Sequence, residues 1–345
     1  LKAAIVLTSI HDCTELLNGY LENLAKYGRE ASIILIPDRK TPPQKFSPTQ
    51  SVTVPLLGKQ EEILHYVGYP AAEIPWDSDN RRNVGYLMAL SGGAEMIISI
   101  DDDNFCPKHE DFIGAHIAAL AKHNPLVSTE DGWYNNCNLL KIMGPEIFAR
   151  GFPYYARRSF KLHTQYAQDG EVVINAGMWT GAPDVDAITW LQRPGQVSRC
   201  NGSAVLAPDT WCPINSQNTA VRRDAMAAYY FVCMESPIDR YGDIFQGYFA
   251  LKCAKHLGLT ARFGTPVVTH RRNSHNYLAD AEKEIFGIRL MEELLPKLLE
   301  HKLTGSSFGE AYLALADFIE SQDAQFFKNT ARRMRLWATT CRRIG

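Results

Sequence analysis

The run Met96-Ile97-Ile98-Ser99-Ile100 passes without a break into three consecutive carboxylates, Asp101, Asp102 and Asp103. So short and apolar a run predicts a strand covered on both faces. The aspartates then stand at the edge of a sheet. Side chains alternate along an extended chain, so Asp101 and Asp103 point to one side and Asp102 to the other. Two carboxylates on one side suit a hard divalent ion that keeps open positions for phosphate oxygens, as a nucleotide diphosphate requires. A solvated acidic turn has the same local pattern.

The surrounding chain repeats the theme. Ala3–Ser9 is an apolar run ending in small hydroxyl residues, and a helical pattern through Leu16, Leu17, Tyr20 and Leu24 follows. Ala31–Ile36 runs into Pro37-Asp38-Arg39-Lys40, and a proline-rich connection comes next. A helix over Asn80–Ser91 precedes the Met96–Ile100 strand. This alternation predicts an α/β fold, a Rossmann-like open, mostly parallel sheet flanked by helices. Ligands of such sheets gather at strand carboxyl ends, which is where Thr8, Asp38 and Asp101–Asp103 fall. Residues 130–235 are richer in turns, aromatics and glycine, and are expected to shape an acceptor or sugar pocket. A helix over Gly242–His256 puts Ile244, Tyr248 and Leu251 on one face and stops at Gly258. Val267-Val268-Thr269 then leads to His270, and from Ala281 onward the pattern is helical, with a break near Thr304–Ser307. The expected division is a main domain over residues 1–300 and a helical extension over 301–345.

A chain of 345 residues, 46% hydrophobic and 21% charged, buries a large core. Its net charge of -2 supplies no general field for nucleic acid, which is therefore not an expected partner. There is no apolar stretch long enough to span a membrane, and Leu1–Leu7 is too short and wrongly flanked for a secretory segment, so the expectation is a soluble, cytoplasmic protein. The eight cysteines are scattered without zinc-like spacing and are expected to be reduced and mostly buried. The last eighteen residues, Lys328–Gly345, hold six basic residues and no acid, interleaved with Met334, Leu336 and Trp337. They fit a solvated helix or tail; the sharper alternative is a helix for an anionic membrane surface or a protein partner.

A metal-bound nucleotide sugar needs an ion across its diphosphate, cationic help for the leaving phosphate and a group near the anomeric carbon. Asp101 and Asp103 are the candidate metal ligands, joined by His270 from a later strand end, and Asp101 and Asp102 the candidate ribose and nucleotide contacts. Arg81 and Arg82 match phosphate geometry. Asp243 can act on a sugar or acceptor hydroxyl. Trp179 can offer an apolar platform to a sugar face, with Asp184 and Asp186 on its hydroxyls. Each residue also has a plainer role: a hydrogen-bonded loop histidine, solvated arginines, a first-turn helix aspartate, a core tryptophan and turn aspartates.

An ordered series of segments resembles the plant reversibly glycosylated polypeptides, the UDP-arabinopyranose mutases. It comprises Ile100-Asp101-Asp102-Asp103-Asn104-Phe105; Arg150-Gly151-Phe152-Pro153 with Arg157; Gly177-Met178-Trp179 followed by Pro183–Ala187; Pro213–Asn218; Ile238–Asp243; and His256-Leu257-Gly258-Leu259. The resemblance covers roughly residues 95–300 and implies the GT-A glycosyltransferase fold, a UDP-sugar substrate and a manganese or magnesium ion at Asp101–Asp103. It places Arg150 on the arginine that becomes reversibly glycosylated in the plant proteins. It aligns Asp243 with the second of two adjacent aspartates, the first being replaced by Gly242. The activity it implies is cleavage of the glycosyl-phosphate bond, mutase-like or self-glycosylating. A conventional glycosyltransferase and a noncatalytic nucleotide-sugar-binding partner protein are the alternatives.

Overall fold

The computed structural model describes residues 1–45, 51–123, 125–157 and 163–345. Strands β1 (Ala3–Ser9) and β2 (Ala31–Pro37) are joined by helix α1 (Thr14–Tyr27), and a short β3 (Val52–Thr53) leads through α2 (Leu57–Tyr66) and α3 (Arg82–Ser91) to β4 (Met96–Ile100). Next come β5 (Asn104–Phe105), α4 (Phe112–Ala119), β6 (Lys122–His123), β7 (Leu126–Thr129), β8 (Leu140–Ile142) and β9 (His163–Tyr166). The long β10 (Gly170–Gly181) is followed by α5 (Ala187–Leu191), β11 (Val197–Cys200), β12 (Ala204–Leu206), β13 (Asn218–Arg222), α6 (Gly242–His256) and β14 (Thr260–His270). Helices α7 (Tyr277–Glu300), α8 (Phe308–Glu320) and α9 (Gln325–Ile344) complete the order.

The strands form an open sheet in the order β3-β2-β1-β4-β13-β10-β14-β12-β7-β9. β2, β1, β4, β10 and β14 run the same way, with β13 reversed between β4 and β10. The mostly parallel α/β core expected from the alternation is therefore present. All five residues of β4 are buried, which is why its sequence is a continuous apolar run. The carboxyl ends of β4, β10 and β14 meet on one edge: Asn218 of β13 lies opposite Ile100, and His270 lies opposite both Gly181 and Asn104.

Helix α6 carries the candidate Asp243 to this edge. Instead of showing one apolar face, it is buried through thirteen of its fifteen residues, because sheet strand β14 and helices α7 and α8 cover it together. Close approach is built into its sequence. A Cβ at Gly247 would fall 1.9 Å from the Ile214 carbonyl oxygen, so only glycine lets α6 lie against the Pro213–Asn218 segment.

The basic C-terminal segment is a packed helix, not a solvated tail. Met334 and Trp337 are fully buried, and the Trp337 Nε1 donates to the Met226 carbonyl at 2.8 Å among the rings of Tyr69, Tyr86 and Tyr230. Arg332 and Arg333 pair with Glu73, Arg333 also with Glu235, and Arg335 with Asp317 and Glu320. The helix thus spends its apolar stripe, and much of its charge, inside the molecule, leaving no apolar face to enter a membrane. Among the described residues no helix is long and apolar enough to cross one. The cysteines form no disulfide, and six of the eight are buried.

Candidate functional site

Above the carboxyl ends of β4, β10 and β14 lies a cavity of about 170 Å³. Asp101, Asp103, Arg150, Asp184, Asp243 and His270 all line it. Arg82, Ser216, Gln217, Phe231, Arg240, Arg272 and His275 share the wall, with Asp79 at the rim.

The aspartates are expected in an extended segment but form a tight turn between β4 and β5, closed by the Asn104 amide donating to the Asp101 carbonyl at 3.2 Å, and this turn separates their side chains. Asp101 turns to Arg82, whose Nη1 lies 2.8 Å from Oδ1. Arg82 Nη1 also donates to Ser216 Oγ at 2.8 Å and to Ser99 Oγ at 3.2 Å, and the same Ser99 oxygen accepts from the Tyr86 hydroxyl at 2.8 Å. Asp102 points the other way and accepts from Ser9 Oγ at 2.5 Å, outside the cavity. Asp103 returns to the cavity side and meets His270, with 3.2 Å between Oδ2 and Nε2. Burial raises Asp101 to about 6 against the pull of Arg82, and the charges of Asp103 and Asp243 add to the rise. The cluster is thus short of positive charge.

His270 is held from behind. Its Nδ1 lies 2.7 Å from the Ala182 carbonyl, which can only accept, so Nδ1 carries a proton and Nε2 faces Asp103. Burial disfavours the charged ring, but the hydrogen bond and charge of Asp103, with Asp184 and Ala182, outweigh it and raise His270 above its ordinary value. A backbone acceptor on one ring nitrogen, which fixes the direction of the other, is also how a ligating histidine is oriented. Among the described residues no three His, Cys, Asp or Glu side chains form a group that could hold a metal ion, and the Asp101 carboxylate is paired with Arg82. Asp103 and His270 make a two-donor set. That chemistry suits a divalent ion whose remaining positions belong to phosphate oxygens and water.

Across the cavity Arg150 clamps Asp243. Its Nη1 and Nη2 approach Oδ1 and Oδ2 at 3.1 and 2.5 Å, while Nη1 also donates to the Arg240 carbonyl at 2.6 Å and Nε lies 3.4 Å from Asp184 Oδ1. Burial opposes the guanidinium charge, yet Asp243 and Asp184 together raise Arg150 well above its ordinary value. Burial likewise opposes the Asp184 carboxylate, but Arg150, with His270 and Arg272, holds it below its usual range. Arg240 adopts the left-handed region at φ 62° to turn the chain into α6, a conformation that costs a non-glycine residue energy and here aims its carbonyl at Arg150. Gly242 is sterically required: a Cβ there would lie 2.4 Å from the Val232 carbonyl oxygen, so the aspartate of the family motif has no room at this position.

Other candidates sit elsewhere. Arg81 is buried beneath Trp76, 3.6 Å from its ring centroid, with its guanidinium on Gln60 and the Ile74 carbonyl, so Arg82 is the arginine at the triplet. Asp38 is taken up by backbone amides, accepting from its neighbour Arg39 and from Ser78 on a later segment. Thr8 Oγ1 lies 3.4 Å from Arg82 Nη2 and outside the cavity wall. Trp179 is only 3% exposed, since β10 is flanked by strands and covered on both faces, and it presents no sugar platform to the cavity. Asp186 is fully buried as the cap of α5, accepting from the Thr189 amide at 2.7 Å and pairing with Arg157. Sequence reasoning missed Asp79, Arg240, Arg272 and His275 as cavity residues. Arg272 had one available signal, its place two residues beyond His270.

The reversibly glycosylated polypeptide family matches residues 2–345. UDP-arabinopyranose mutase 1 of Arabidopsis thaliana is 26% identical over 311 residues, which is 85% of this chain and 82% of the relative. Probable UDP-arabinopyranose mutase 1 of Zea mays is 29% identical over 264 residues, 73% of this chain and 68% of the relative. A solved structure described as a crystal structure of a mycobacterial protein aligns over 84% of this chain and 74% of that one, at a TM-score of 0.40 and 11% identity, too slight a likeness to carry an argument. The match to the family spans all but the first residue, and the chain belongs to the reversibly glycosylated polypeptides.

Proposed function

We propose that this protein is a metal-dependent enzyme that binds a UDP-sugar and cleaves the bond between the anomeric carbon and the diphosphate, carrying the sugar on itself as a mutase does. The supporting observation is that one cavity collects Asp101 with Asp103, Arg150, Asp184, Asp243 and His270 from five separate segments, in a chain whose relatives are named UDP-arabinopyranose mutases. Asp103 and His270 would hold magnesium or manganese, which when bound offsets charge on the leaving diphosphate. Asp184, braced by Asn215, would accept from a sugar hydroxyl.

A guanidinium is a poor nucleophile because it is protonated. The clamp strengthens the protonated form at rest, so the proton has to leave as the new bond forms. As Nη2 of Arg150 bonds to the anomeric carbon, its proton passes to Asp243 Oδ2, 2.5 Å away, and the electron pair of the broken carbon–oxygen bond stays on the diphosphate. Reversal after ring interconversion returns the sugar to UDP. The firmness of the same clamp favours a second reading, a conventional glycosyltransferase in which Arg150 only orients Asp243 toward an acceptor hydroxyl.

Incubation with manganese and a panel of UDP-sugars, followed by intact-protein mass and product analysis, separates these. A pentose or hexose adduct that maps to Arg150 and disappears in Arg150→Ala is the expected result. Product formed equally well by Arg150→Ala would favour the transferase, and UDP-sugar binding without hydrolysis, transfer or isomerisation would favour a noncatalytic partner.

A further inference from the structure

Four arginines line the cavity, and three are committed to carboxylates: Arg82 to Asp101, Arg150 to Asp243 and Asp184, and Arg240 to Glu284 and Asp280. Arg272 differs. Among the described residues its guanidinium makes no ion pair or hydrogen bond, and its Nε is buried without a partner. It is nevertheless held in place. The guanidinium carbon lies 5.0 Å from the Trp190 ring centroid and 5.8 Å from that of Tyr277, and those two rings stack at 5.2 Å with their planes 1° apart. Trp190 belongs to α5 and Tyr277 begins α7, so packed helices form the shelf on which Arg272 rests.

We infer that Arg272 is the phosphate-binding arginine of the cavity and takes an oxygen of the donor's diphosphate, a role that rests on the nucleotide-sugar reading above. The Arg272 side chain is half-buried, with its Nε removed from water and unpaired, a donor that is costly unless an acceptor meets it, and the planar guanidinium fork matches phosphate oxygens. The placement suits a diphosphate, because β14 delivers His270 against Asp103 and the chain reaches Arg272 two residues later on the same cavity wall. When the anomeric carbon–oxygen bond breaks, its electron pair adds charge to the phosphate oxygen. Arg272 keeps all its protons and stabilises that charge electrostatically.

The test compares UDP with uridine as ligands of the full chain. Arg272→Gln is expected to weaken UDP binding roughly tenfold or more while leaving uridine binding unchanged, with Arg272→Lys falling between. Wild-type protein that binds UDP well, with Arg272→Gln binding it equally, overturns the role of Arg272 and leaves the nucleotide-sugar reading intact. Wild-type protein that binds UDP no better than uridine removes both. If Arg272→Gln does not fold, phenylglyoxal modification of the wild type decides. UDP but not uridine should protect Arg272 in the peptide map, and equal modification with and without UDP overturns the assignment.

Discussion

Arg150 and Asp243 each hold the other's charge in a place where water cannot, so the two residues have stability and chemistry in common. Breaking a buried pair from one side leaves an uncompensated charge, which costs about 3 kcal/mol or more. Asp243→Asn is therefore expected to lower stability in urea unfolding by about that amount as well as abolish turnover. Asp103 stands differently, in the turn between β4 and β5 with its side chain partly open to the cavity and its backbone carbonyl tied to the Arg271 amide. Asp103→Ala should keep unfolding within about 1 kcal/mol of wild type and still abolish metal-dependent turnover. Full activity of that variant without added metal would sink the assignment.

Among the elements, α4 shows how the sheet fixes a protonation state. His116 on α4 receives a hydrogen bond at Nδ1 from Asn175 of β10, at 3.0 Å, and its Nε2 lies 3.2 Å from Asn218 Oδ1 at the start of β13. Both nitrogens are used by the neutral ring. Burial lowers its pKa to about 3, with a smaller push from the Arg262 charge against the pull of Asn218. Below about 6.5 the unfolded chain binds a proton that the folded one refuses, so this contribution to stability is present above that pH and is lost as pH falls toward 3. Between pH 6 and pH 5 the wild type should lose about 1 kcal/mol more than His116→Gln in urea unfolding; parallel losses would contradict this account.

These same elements were largely legible in the sequence, since β1, β4 and α6 fall on the residues where periodicity puts them. The site was legible in part. Asp101, Asp103, Asp184, Asp243 and His270 follow strand ends or open a helix, and topology then gathers them. Asp38 and Asp186 carry the same signature, but backbone amides consume them, those of Arg39 and Ser78 for Asp38 and that of Thr189 for Asp186, and which amides come within reach depends on the folded backbone. Arg81 and Arg82 are neighbours on the chain, and the short turn of 3₁₀ helix before α3 decides which one faces the triplet. Arg272 is recognised by the lack of a carboxylate partner, which becomes visible only when all its neighbours are in place.

On the scale of the whole molecule, the last two helices share one hydrophobic core with the sheet, since Leu315, Ile319, Phe327, Met334 and Trp337 pack in the same cluster as β1 and β4. Trp337→Ala removes a fully buried indole and should cost about 3–5 kcal/mol, read as a lowered urea midpoint with an unchanged slope. Retained wild-type stability would show that α9 does not hold the core.

Trp337 also touches Tyr86, whose hydroxyl reaches Ser99, then Arg82 and finally Asp101. The route from the C-terminal helix to the acidic edge consists of one aromatic contact and a few polar hydrogens. Trp337→Ala takes away the ring packed against Tyr86, so the Tyr86, Ser99 and Arg82 contacts behind Asp101 are expected to loosen together with the core, tying the shape of the acidic edge to the far end of the chain.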